Sequence, residues 1–316
     1  MKEIIKNICD ITVKNYKVLR DEFRFDGEYI NHFAAIVYSN VNMDIPNENV
    51  KKIRRYIKDK TSRISCFRGD ILYILSFLIA KQKNIESFTD EVINTYDEMI
   101  DAGFNESQYL VLSSYAFVKY GKLQDTASNI SLMKEIYKEM KLKYDNVTNE
   151  EDYLECALLS LRRDNKDLIS KYMDKTINSI MSLDMFSKNG AQGLTISLLL
   201  NKNNHARERI QQLLLEFEKR EIKISHQFLP FIGSATGISK PEKYCDEVNE
   251  VIEYLCSVEY EYEFFMDKSF RVFIALSIIE LSKDKKQERN LEELLALGVY
   301  SFIVSKNQGL LEEVLA

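Results

Sequence analysis

Turn-forming residues are scarce in this chain. Of its 316 residues only 10 are glycine and 3 are proline, at Pro46, Pro230 and Pro241. Average usage is about 7% and about 5%. An all-β fold needs many tight turns, and tight turns need residues that accept positive φ or fix φ near −65°. The shortage excludes such a fold and favours helices joined by short loops. Metal-binding patterns are missing too. The histidines are His32, His205 and His226, and no Cys/His cluster has zinc spacing. Five cysteines (Cys9, Cys66, Cys156, Cys245 and Cys256) include no CxxC pair. Their odd number and scatter are those of reduced, mostly buried thiols in a cytosolic protein. No catalytic residue, metal ligand or cofactor motif stands out. Long apolar runs are lacking as well. No stretch approaches ~18 uncharged apolar residues, so none reads as a transmembrane helix. The first residues, MKEIIKNICDITVKNYK, are interrupted by charges and lack the apolar segment of a signal peptide. The expected location is cytoplasmic.

Net charge is −6 and the isoelectric point is near 5.4. Nucleic acids and anionic membranes both select basic surfaces, so neither is an expected partner. The charge is unevenly spread. Residues 50–70 hold Lys51, Lys52, Arg54, Arg55, Lys58, Lys60, Arg63 and Arg68 against Asp59 and Asp70. Residues 242–267 hold nine acids against Lys243 alone. Opposite charge at 51–63 and 242–267 allows a weak head-to-tail self-association.

What the chain has is helical periodicity. Ile4, Ile8, Ile11 and Val18 begin it, flanked by Cys9, Tyr16 and Leu19. The run Phe23-Arg24-Phe25-Asp26-Gly27 breaks it. A second helix carries Ile30, Phe33, Ala34, Ile36 and Val37. After Pro46, Asn47 or Asn49 could cap a third, with Val50, Ile53 and Ile57 on one face and the basic run on the other. From there a two-helix unit recurs every ~35–43 residues, a spacing typical of helix-pair repeats. In each copy a helix with one apolar stripe precedes a more apolar helix. The first copy begins at Ser87-Phe88-Thr89-Asp90, carries Val92, Ile93, Tyr96 and Met99, and stops at Gly103. Its second helix carries Tyr109, Leu110, Leu112, Tyr115 and Ala116. Tyr96-Asp97-Glu98-Met99 and Tyr137-Lys138-Glu139-Met140 are the clearest echo between copies. Later copies run through Leu154 and Leu158, through Ile177 and Leu198, through Leu213 and residues 228–232, and through Val248 and Phe273. A charged linker at 282–290 precedes a closing helix at 291–304. The expected core includes Ile93, Tyr96, Leu112, Leu158 and Leu198.

The expected fold is all-α, with stacked helix hairpins forming a curved solenoid or a partly closed α/α ring. One helix pair cannot bury its apolar face alone, so neighbours must stack. Residues 1–46 would form an N-terminal cap, 47–282 the degenerate repeats and 283–316 the closing helices, as one continuous structural unit.

Three patches carry a resemblance. They are His32-Phe33-Ala34-Ala35-Ile36-Val37-Tyr38, then Cys66-Phe67-Arg68-Gly69 leading into an apolar helix, then Phe186-Ser187-Lys188-Asn189-Gly190-Ala191-Gln192. The Ala102-Gly103-Phe104 turn followed by Tyr109-Leu110 adds a fourth. In this order they resemble a family of Gram-positive bacterial proteins catalogued as domain of unknown function 4003, over most of the chain. The resemblance implies a helical fold and a bacterial cytosolic setting, and it implies no activity.

Two loops are candidate ligand sites. In Phe67-Arg68-Gly69, the Arg68 guanidinium could bind a carboxylate or phosphate beside the amides of the next helix. The structural alternative ties Arg68 to an acid or to helix carbonyls while Phe67 packs and Gly69 takes a special backbone angle. In Ser187-Lys188-Asn189, Lys188 could add charge to a helix start, although such runs are more often a cap and a turn. The recurring tyrosines Tyr96, Tyr109, Tyr115, Tyr137 and Tyr153 could line a peptide groove, but packing is the commoner use. The expected function is a non-enzymatic module that binds a protein or peptide. The alternatives are a sensor of a small anion centred on Arg68 and an enzyme of unrecognised type.

Overall fold

The computed structural model describes residues 1–39, 44–162, 166–181, 188–201, 206–235, 240–283 and 290–309. Among them lie sixteen α-helices, several single 3-10 turns and no strand. The class is all-α. In chain order the helices are α1 (Glu3–Glu22), α2 (Glu28–Ser39), α3 (Asn47–Lys60), α4 (Asp70–Ile79), α5 (Ile85–Asp101), α6 (Gln108–Tyr120), α7 (Thr126–Lys143) and α8 (Tyr153–Leu161). They continue as α9 (Lys166–Met181), α10 (Lys188–Leu200), α11 (Ala206–Lys219), α12 (Leu229–Gly233), α13 (Pro241–Val258), α14 (Glu261–Phe264), α15 (Lys268–Leu281) and α16 (Leu291–Asn307). The chain divides into two compact units, one of residues 46–175 and one that joins residues 1–45 to 176–316.

In the 46–175 unit, α3 packs on α4, α5 on α6 and α7 on α8. The apolar helices α4, α6 and α8 also touch in series, as do α3, α5 and α7. Sequence decides which helix goes inside. α5 buries one stripe, Val92, Tyr96 and Met99 with Thr89 and Thr95, and turns Glu91, Asp97 and Glu98 to solvent. α6 buries nine consecutive residues, Tyr109–Phe117. A helix apolar on all sides is stable only when covered on all sides. Each Val, Leu, Ile or Phe so buried contributes ~1.5–3 kcal/mol. Helix ends are closed locally. Ser107 Oγ accepts from Leu110 N at 3.1 Å and caps α6. Gly103, at φ +93°, ends α5 with Phe104 N donating to Met99 O and Gly103 N donating to Ile100 O, a Schellman closure.

In the other unit the first two helices pack against the last ones. α1 lies on α2 and on α13 and α15, and α2 lies on α15 and α16. α10 packs on α12, which touches α11 and α16. Here α12 approaches α10 so closely that a Cβ on Gly233 would sit 1.9 Å from Ser197 Oγ.

Several local expectations need correction. The buried face of α1 is Ile5, Ile8, Cys9, Thr12, Val13, Tyr16 and Leu19, whereas Ile4 and Val18 are exposed. With isoleucines at both 4 and 5, the neighbour that covers the helix sets its rotation. α5 starts at Ile85, before the expected Ser87 cap, and inside it Thr89 Oγ1 donates to Ile85 O at 2.6 Å. Asn47 opens α3 behind Pro46 and makes no cap bond. Ile93 is half-buried, because Val92 takes the inward position. Tyr96, Leu112, Leu158 and Leu198 are core as expected. Within the charged linker, residues 284–289 lie outside the described ones.

Candidate functional site

The Arg68 loop is built from its own residues. Phe67 is buried and meets the Tyr96 ring edge-on at 5.0 Å. Its amide donates to Ser65 Oγ at 3.0 Å. Arg68 is half-buried and turns back onto the end of α3. Its guanidinium donates to Thr61 Oγ1 at 2.5 Å, to Thr61 O at 2.6 Å and to Lys58 O at 3.0 Å. The last carbonyls of a helix lack amide partners and carry partial negative charge, so a cation is favourable there. Gly69 sits at φ +70°, ψ −147°, a region essentially reserved for glycine, and its carbonyl accepts from Leu72 N. Asp70 opens α4, and burial raises its carboxyl above the usual range. The geometry thus gives Arg68 the helix-carbonyl role that was one of its two sequence readings.

In the second candidate loop, Ser187 lies outside the described residues. Lys188 opens α10 and Asn189 is half-buried in its first turn. Arg68 and Asn189 belong to different compact units. Of the histidines, His205 also lies outside the described residues, and His226 bonds Gln227 Nε2 at 2.9 Å. His32 is wholly buried. Its Nδ1 is 2.8 Å from Glu28 O and therefore carries the proton. The ring stacks on Tyr16 at 3.7 Å and meets Tyr262 edge-on at 5.3 Å. Burial lowers its pKa to about 3, so the imidazole is neutral. The recurring tyrosines are packing residues. Tyr96, Tyr109, Tyr115 and Tyr153 are buried, Tyr137 is half-buried, and Tyr137 and Tyr153 contact at 4.9 Å.

The feature that stands apart is an exposed aromatic corner in the unit that holds both chain ends. Phe25 is 82% exposed, Phe264 and Phe265 69% each, and Tyr260 60%. Other exposed large apolar residues, such as Ile64 and Leu142, are scattered singly and need no explanation. Here four rings come from two short segments tied side by side. At one end Arg20 donates to Glu261 Oε1 at 2.6 Å, and at the other the Tyr29 hydroxyl donates to Asp267. Phe25 lies between these ties, in the turn that joins α1 to α2. Tyr260 and Phe265 rings are 6.1 Å apart, and the Arg24 guanidinium lies 4.5 Å over the Phe25 ring. Each of the four exposes more than half of its surface.

The corner is rigidly backed. Tyr260 and Tyr262 sit on a helical turn, where positions two apart lie on nearly opposite sides, so Tyr262 points inward, where it is wholly buried, and Tyr260 outward. Arg271 donates to Tyr262 O at 2.7 Å, Lys17 pairs with Glu259 at 2.8 Å, and Lys306 pairs with Asp267 at 2.7 Å. The hydrogen bonds from Tyr29 and Lys306 hold the Asp267 carboxyl below the usual carboxylate range against the opposing effect of burial. This site is absent from the sequence reading, where 242–267 registered as charge and Phe25 as part of a pattern break. The available signal was Tyr260, Phe264 and Phe265 within six residues, in a stretch too short for helical periodicity to bury them all.

No curated protein and no solved structure matches the chain. Among the described residues there is no group of His, Cys, Asp and Glu that could hold a metal ion, and no helix is long and apolar enough to cross a membrane. A family model described as protein of unknown function (DUF4003) matches residues 15–308, and the chain belongs to that family.

Proposed function

We propose that this is a cytoplasmic, non-enzymatic interaction module that binds a protein partner through its aromatic corner. The observation that carries the reading is the joint exposure of Phe25, Tyr260, Phe264 and Phe265 on a scaffold that ties them from both sides. Water-exposed aromatic surface is unfavourable unless something covers it, and aromatic anchors dominate protein interfaces. Preorganisation by the Arg20–Glu261 and Arg271–Tyr262 bonds lowers the entropy that binding would otherwise cost. The Arg68 loop supports the anion-sensor reading less well, because the guanidinium already serves the carbonyls of α3. Part of the charge in the 51–63 and 242–267 stretches is paired within its own unit, Lys52 with Glu86, Lys60 with Asp90, Lys2 with Glu247 and Arg220 with Asp246.

The test is quantitative affinity capture from native cells, with wild type beside a Phe264→Ser/Phe265→Ser variant of unchanged circular dichroism. A specific protein should be retained by wild type and lost by the variant. Identical retained proteins from both would remove the corner from the account.

A further inference from the structure

The aromatic corner sits among more acids than bases, and this indicates what it binds. Residues 17–29 and 253–271 together contain nine acids against five bases, and Lys306 brings a sixth base. Within this set Lys17 pairs with Glu259, Arg20 with Glu261 and Asp21, and Lys306 with Asp267. Glu263, between Tyr262 and Phe264, is exposed, and Glu253 lies exposed on α13. We infer that the corner receives a cationic protein segment, one presenting Lys or Arg beside an apolar residue. This rests on the interaction-module reading above.

Three physical arguments converge on that occupant. Opposite charge steers a basic segment to the corner and disfavours an acidic one. A cation laid on the face of an exposed ring is attracted by the ring quadrupole, and Arg24 over Phe25 shows the geometry already realised within the chain. The remaining rings, Tyr260, Phe264 and Phe265, offer the same faces with Glu263 beside them. The same charge argues against other occupants. A second copy would bring an equally acidic corner against this one, and an anionic bilayer would be repelled.

The experiment is a fluorescence-anisotropy titration of the full chain with two labelled synthetic peptides. Both are amphipathic helices with the same leucine and phenylalanine positions, one with lysine on its polar face and one with glutamate. The lysine peptide should bind wild type at least about tenfold more tightly, and the gap should narrow at about 1 M salt, where the screening length falls to ~3 Å. Phe264→Ser/Phe265→Ser should weaken lysine-peptide binding about tenfold, and Glu263→Lys should shrink the preference between peptides. Both variants are checked for unchanged circular dichroism. Equal binding of both peptides, lost in the Phe264→Ser/Phe265→Ser variant, would overturn the cationic partner yet leave the module reading intact. Binding of neither peptide, or binding that survives that double substitution, overturns the inference. So does a preference for phosphatidylglycerol vesicles over the lysine peptide, or a concentration-dependent dimer in sedimentation that the double substitution abolishes.

Discussion

Arg20 and Glu261 stand 241 positions apart in the chain, and their side chains meet at 2.6 Å. The bond joins the last turn of α1 to the first residue of α14, and so fastens the beginning of the protein to the turn that displays Phe264 and Phe265. Tyr16, one turn earlier on α1, continues the junction inward by stacking on His32, whose ring meets Tyr262.

The tie should therefore be measurable as a coupling. Both side chains are partly exposed, so the pair itself contributes modestly, ~0.5–1 kcal/mol. A double-mutant cycle of Arg20→Met and Glu261→Gln, read by urea unfolding, should give a coupling of that size. Either single substitution should also speed proteolysis in the 258–266 segment. Additive effects and unchanged proteolysis would show that the tie does not hold the corner.

His32 should impose a pH dependence on the same unit. The buried ring has its pKa depressed to about 3, against about 6.5 in an unfolded chain. Between these values the unfolded state binds more protons, so stability rises with pH there and is flat above about 6.5. The slope from this residue is at most ~1.4 kcal/mol per pH unit. Chemical unfolding of wild type and His32→Phe from pH 4 to 8 checks it. The difference between the two should favour wild type progressively as pH rises to about 6.5, then stop changing. A difference independent of pH would mean that His32 titrates in the native state as it does in the unfolded chain.

Gly233 should tolerate no side chain. A Cβ there meets Ser197 Oγ at 1.9 Å and Leu194 O at 3.0 Å. Gly233→Ala should cost ~1–3 kcal/mol, the usual range for overpacking. Ser197→Gly in the same chain should recover part of the loss, because it removes the nearer obstacle. Thermal melting of the three variants decides it, and a harmless Gly233→Ala would mean that α10 and α12 are further apart.

Arg68→Met should lower stability by ~1–2 kcal/mol. Hydrogen bonds to a charged group are worth about 1.5–3 kcal/mol, discounted here because Arg68 is half-buried. Inorganic phosphate should leave the melting temperature of both proteins unchanged. Stabilisation of wild type alone by phosphate would restore Arg68 as an anion site.

How much of this was legible in the sequence follows from the range of the interactions. α4, α6, α8 and α15 are apolar over most of their surface, and that pattern needs no partner to be recognised. The rotation of α1 needed its neighbours, since Ile4 and Ile5 offer two phases and only packing on α2, α13 and α15 selects Ile5. Arg68 was recognisable as a residue with a local task, because its acceptors Lys58 and Thr61 lie within ten positions. The aromatic corner was not legible. Helical periodicity cannot show which rings of Tyr260, Tyr262, Phe264 and Phe265 face outward from a four-residue helix, and Phe25 joins them only through ties more than 230 residues long in sequence.

The central claim is that this corner contacts a protein. The most direct measurement places the photo-crosslinking residue p-benzoylphenylalanine at position 264 in native cells, with position 64 as control. Ile64 is also exposed but stands alone in the other unit. Illumination should yield a discrete adduct from position 264, absent from position 64 and lost when Phe265→Ser is added. No adduct at 264, or the same adducts at both positions, would contradict the account.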